Sequence, residues 1–172
     1  MAIDLFLLVA IAEIAGIFVG FGALIGVTRP EEISPFQVAR LRALVTVGLT
    51  IIIASLIPVA LDLYGVADHT LWLASSFFFY FLNLIVIIMA FRDPSNRELM
   101  KTETQRRPVT SILFWLVLEV PFHVLLILIM LGLFLALEPA FYTTALLIYL
   151  FQAAFALVQL VHSQDDPPSA EE

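Results

Sequence analysis

The chain has 172 residues, of which 62% are hydrophobic and 13% charged, and its formal net charge is −7. Soluble domains run at about 45–50% apolar and about 25% charged, so a water-soluble core is excluded and the surrounding solvent must be lipid. The negative balance argues against nucleic acid as a partner, and the absence of cysteine excludes disulfides, thiolate nucleophiles and cysteine-bound metal centres.

Five apolar stretches are long enough to cross a bilayer, at 5–27, 36–61, 71–91, 110–137 and 140–161. The runs are continuous rather than alternating, which predicts helices and not a barrel. The reading is an all-α integral membrane protein, a five-helix transmembrane bundle over 1–162 followed by a disordered acidic tail at 163–172. Ser34-Pro35, Asp93-Pro94, Pro108 and Glu138-Pro139 each put proline where a first helical turn tolerates its missing N–H. The first stretch lacks a basic leader and is too long for a signal-peptide core, so it is expected to stay in the protein.

Orientation follows from the eight cations. Arg29, Arg40 and Arg42 flank the first loop, and Arg92, Arg97, Lys101, Arg106 and Arg107 fill the third. The positive-inside rule then places the N-terminus outside and the C-terminus in the cytoplasm, with a bacterial inner (plasma) membrane as the expected location. Asp4, Asp62, Asp68 and Glu138 fall outside with no cation beside them. In the third loop, Ser95-x-x-Glu98 matches a capping box and predicts a short interfacial helix over 96–103. The fourth loop is short enough to make the last two spans a tight hairpin.

An ionisable side chain at bilayer depth costs about 2.5–3.5 kcal/mol on insertion scales. Glu13, Glu119 and His123 occupy such positions, as does the polar Asn83. At a rise of about 1.5 Å per residue, Glu13 lies about 12 Å below the outer end of its span and Glu119 about 13 Å above the inner end of the fourth. Asn83 falls near the middle of the third, so the polar groups of separate helices share one depth. Glu119 and His123 are spaced i, i+4 on one helical face, and Pro121 between them is expected to kink the helix and free a carbonyl. Such a pair can relay protons, coordinate a cation, or act as a polar latch between helices.

Glu13 shares a helix side with Gly16 and Gly20, and Gly22-x-x-x-Gly26 follows, which predicts close helix packing within a protomer or at an oligomer seam. In the last span Tyr142, Ala145, Tyr149, Gln152, Ala156 and Gln159 fall within about 100° of arc. That stripe either lines a water path or packs on another helix. Ser76 and Asn83 form a shorter one. Arg40 and Arg42 are expected at the cytoplasmic headgroups or in a gate or salt bridge there. Trp72 and Tyr142 are expected in the aromatic belt, and Phe77–Phe79 with Phe81 in lipid or core packing.

The chemistry list is short. The only lysine, Lys101, sits in a loop, so no intramembrane Schiff base can form. H-E-x-x-H, G-x-S-x-G and a nucleotide-binding loop do not occur. His123 is the only deep histidine, which speaks against bis-histidine haem, and a di-metal carboxylate site needs Glu-x-x-His pairs. No cofactor, metal site or enzyme activity is expected. The sequence predicts a small homo-oligomeric, channel-like proton or cation pathway through Glu13, Asn83, Glu119, His123, Tyr149 and Gln152. The alternative is a non-catalytic accessory or assembly subunit of a larger membrane complex.

Overall fold

A computed structural model describes residues 5–28, 35–94, 97 and 115–162. The described chain is helical and contains no strand. Its helices are α1 (Leu5–Thr28), α2 (Pro35–Leu63), α3 (Asp68–Arg92), α4 (Val120–Met130) and α5 (Glu138–His162), with a π-helical turn at Trp115–Glu119 leading into α4. Four stretches are long and apolar enough to cross a membrane: Leu5–Thr28, Gln37–Leu63, Asp68–Arg92 and Leu135–Val161. The expected interfacial helix at 96–103, apart from Arg97, and the acidic tail lie outside the described residues.

Prolines set the starts of α2 and α5, as their fixed φ allows. Asp93, the residue before Pro94, takes an extended conformation that ends α3. The fourth span departs from expectation. Helix α4 stops at Met130, and a turn and a 3-10 segment (Leu135–Leu137) replace the last helical residues anticipated there. Gly132 causes the stop, because its φ of +63° is a left-handed helix-ending conformation that residues with a Cβ seldom adopt.

Helix α5 touches all four other helices, whereas α1 packs on α2 and α5. The α1–α2 contact rests on small residues. A side chain at Gly22 or Gly26 would run into Leu41 or Leu44 of α2, and one at Gly48 of α2 would run into Val19 and approach the Ala15 carbonyl. Between α3, α4 and α5 the packing is aromatic. Phe79, Phe122 and Tyr149 meet with ring centroids 5.0–5.6 Å apart, and Tyr142 joins them at 5.9 Å from Phe79. Such edge and stacked pairs add to burial alone. Phe79 is the inward member of its cluster; Phe77, Phe78 and Phe81 are exposed on the outer surface.

Tyr142 is therefore not an aromatic-belt residue. It is fully buried, and its hydroxyl donates to the Ala54 carbonyl at 2.7 Å. The reason lies in α2. Pro58 sits inside that helix, so the Ala54 carbonyl four residues earlier loses its helical N–H partner. In hydrocarbon such a freed group must be satisfied by a neighbouring helix, and α5 supplies the donor. Tyr142→Phe should cost about 1–2 kcal/mol of unfolding free energy in detergent. The same substitution in a Pro58→Ala background should cost much less, because the helix then satisfies its own carbonyl. Equal losses in the two backgrounds would remove this explanation.

Candidate functional site

Two residues before Pro121 the backbone runs in a π turn, Trp115–Glu119, where the wider helix and the proline's missing N–H break the regular ladder. Glu119 closes that turn and faces α5. Its Oε1 accepts a hydrogen bond from Gln152 Nε2 at 3.1 Å. Its Oε2 is buried with no hydrogen-bond partner among the described residues. The His123 Nδ1 stands 3.7 Å from that same Oε2 and donates at 2.8 Å to the Glu119 backbone carbonyl. The imidazole is thus tethered to the residue with which it forms an ionisable pair, and the rings of Tyr80 and Phe122 meet it edge-on at 5.5 and 5.1 Å.

One turn along α5 from Gln152, the Tyr149 hydroxyl donates to Asn83 Oδ1 of α3 at 2.6 Å. Asn83 is 1% exposed, and its Nδ2 has no partner among the described residues. Ser76, two turns away on the same face of α3, is equally buried, and its hydroxyl has no partner among the described residues. The wedge between α3, α4 and α5 therefore joins a carboxylate, an imidazole, two amides and a phenol. Among the described residues it leaves one acceptor and one donor unspent in a setting where unpaired polar groups are costly. That combination can bind a proton, pass one between neighbours, or hold a small polar ligand.

Of the six residues the sequence assigned to a pathway, the structure brings Asn83, Glu119, His123, Tyr149 and Gln152 into this wedge. Glu13 is elsewhere. It is exposed on the outer surface of α1, and Gly16 and Gly20 beside it have open space where a side chain would stand. Only the second glycine pair, Gly22 and Gly26, is used for packing inside the protomer. The stripe on α5 is an internal packing face: Tyr142, Ala145, Tyr149 and Gln152 are all buried.

At the bundle end where α2 begins and α3 finishes, Arg42 pairs with Asp93 at 2.5 Å, while Arg40 is half-buried. The opposite end carries a pair the sequence reading passed over, His69 Nδ1 with Glu138 Oε1 at 2.6 Å. Glu138 and Asp68 are both expected outside, and His69 follows Asp68 directly, so that shared side was the available signal. Among the described residues no three His, Asp or Glu side chains stand close enough to hold a metal ion. No family model, curated protein or solved structure matches this chain.

The Asn83–Tyr149 bond should behave as a buried pair. Tyr149→Phe should lower stability by about 1 kcal/mol, and adding Asn83→Leu should recover part of that loss, since replacing both partners by apolar groups leaves nothing unpaired. Thermal unfolding in detergent reads both. A double variant weaker than the sum of the single changes would contradict the pairing.

Proposed function

We infer that this chain is a five-span membrane protein, N-terminus outside and C-terminus in the cytoplasm, that conducts protons or cations through the α3–α4–α5 wedge as a small homo-oligomer. A bacterial inner membrane is the location that the placement of its cations suits best. The observation that carries the reading is the Glu119 carboxylate: one oxygen fixed by Gln152, the other unpaired and 3.7 Å from the His123 imidazole. A group that exchanges a proton needs an oxygen within reach of an acceptor or donor, and Oε2, with no hydrogen-bond partner among the described residues, supports that role.

The end pairs support the crossing count. Arg42–Asp93 joins the start of α2 to the end of α3, and His69–Glu138 joins the start of α3 to the start of α5. That placement of Asp93 and Glu138 at opposite ends favours one more crossing between them, through α4. Because the α5 stripe is internal, the proposed route runs inside each protomer and not along an axis between copies. Self-association then falls to the face of α1 that carries Glu13, Gly16 and Gly20. A carboxylate in a lipid-facing span is costly, and a facing helix that accepts its hydrogen bond relieves the cost. The accessory-subunit reading draws on the same two features, an α5 stripe that packs internally and an α1 face turned outward.

Proton flux into proteoliposomes tests the pathway. The protein should exceed empty liposomes, and Glu119→Gln, which keeps shape but removes titration, should reduce the flux roughly a hundredfold. Flux unchanged by that substitution would exclude Glu119 as a relay. No flux from folded protein favours the accessory subunit. Assembly has its own test. A Cβ at Gly20 meets no atom within 4 Å inside the protomer, so Gly20→Leu should leave the fold intact while shifting the protein to monomer in single-molecule photobleaching. A folded Gly20→Leu variant that remains oligomeric would remove α1 from the seam.

A further inference from the structure

A second titratable pair stands apart from the midplane wedge, at the end of the bundle where α3 and α5 begin. Glu138 is the first residue of α5 and is 1% exposed. A carboxylate there is favoured by the free N–H groups and dipole of the helix, yet so deep a charge requires a counter-group. The counter-group is His69, whose Nδ1 lies 2.6 Å from Glu138 Oε1 and whose side chain is 39% exposed. One partner is sealed in the protein and the other can reach water.

The backbone on both sides is shaped around this contact. Asp68, immediately before His69, has a φ of +54°, a left-handed conformation unusual for any residue but glycine, asparagine or aspartate. It opens α3, whose Ala67 N-cap makes no side-chain cap. From the other side Gly132, at φ +63°, lies under the imidazole: a Cβ there would sit 3.4 Å from His69 Cε1 and 3.6 Å from its Nε2. The α4–α5 turn thus closes over the ring that binds the first residue of α5.

The geometry points to a proton-responsive clasp: His69 and Glu138 fasten the start of α3 to the α4–α5 turn, and the fastening tightens in acid and slackens in alkali. Imidazoles change charge within the physiological range, between about pH 5 and 8. With His69 protonated and Glu138 ionised the bond is charge-assisted, the stronger kind. With His69 neutral the buried carboxylate keeps only a neutral donor. Among the described residues the other titratable groups at this end are Asp68 on α3, Asp62 on α2, Tyr64 in the turn after α2 and, one turn deeper on α5, Tyr142; the 3-10 segment and turn at 131–137 contribute none. No lysine or arginine occurs in either loop of this end, so His69 is the side chain there able to carry positive charge. The elements it fastens are the three that enclose Asn83, Glu119 and Tyr149. The clasp therefore governs access to that wedge from the proposed outer side, a consequence that rests on the pathway reading, while the clasp itself does not.

The cysteine-free chain allows spin labels to be placed at will. Labels on Thr70→Cys in the first turn of α3 and Leu133→Cys in the α4–α5 turn occupy exposed positions. Electron–electron distance measurements on the full chain in lipid nanodiscs should give a narrow distribution at about pH 5.5 and an added longer component at about pH 8. His69→Arg, with a fixed charge, should stay narrow at both values, and Glu138→Gln should lose the response. A distribution that does not change with pH, or a response that survives Glu138→Gln, overturns the clasp. A distance response without proton flux in any variant upholds the clasp and removes the pathway; flux without a distance response does the reverse.

Discussion

Everything in this bundle depends on the seam of α5. Glu138, Tyr142, Tyr149 and Gln152 recur along one side of that helix, and their polar contacts reach three other elements: His69 and Asn83 of α3, the Ala54 carbonyl of α2 and Glu119 beside α4. In lipid, helices gain little from apolar burial against one another, since the solvent is as apolar as they are. Position and register must then come from shape and from hydrogen bonds. One helix that touches all the others and carries four polar side chains on its contact face supplies both.

The seam also explains why polar groups can lie so deep. Pro58 and Pro121 each remove an N–H from a helix that has no water to replace it. Near Pro58 the deficit is met from α5 by Tyr142. Near Pro121 the backbone widens into a π turn, and His123 donates to the carbonyl of Glu119. The proline defect in α2 thus becomes an attachment point for α5, while i, i+4 spacing across Pro121 places a carboxylate and an imidazole side by side. Toward the end where α3 and α5 begin, Phe79, Phe122, Tyr142 and Tyr149 pack as a block of rings, so the polar groups adjoin an apolar frame.

Depth was legible from the sequence, direction was not. A helix rises a fixed distance per residue, so Asn83 and Glu119 could be assigned one level, and i, i+4 spacing put His123 beside Glu119. The contacts of Tyr149 with Asn83 and of Gln152 with Glu119 were present in the sequence as stripes without partners. Glu13 shows the limit. Helix α1 is apolar all round, and core and lipid attract apolar residues alike, so periodicity does not say which side faces inward. The glycines gave no help, because Gly16 and Gly20 repeat the pattern of Gly22 and Gly26 but only the second pair is packed. Two local signals were readable and were passed over: Gly132 as the end of α4, and Pro58 as the maker of a free carbonyl that Tyr142 would seek.

The central claim is that Glu119 exchanges a proton inside the wedge. Infrared difference spectroscopy of the reconstituted protein between about pH 5 and about pH 9 addresses it at the level of the bond, with Glu119→Gln identifying the band. The account predicts a carboxylic-acid carbonyl band that disappears across this range, is replaced by carboxylate absorption, and is missing from the variant. A Glu119 signal that stays in one form throughout would contradict it and leave the residue as a fixed tie between α4 and α5.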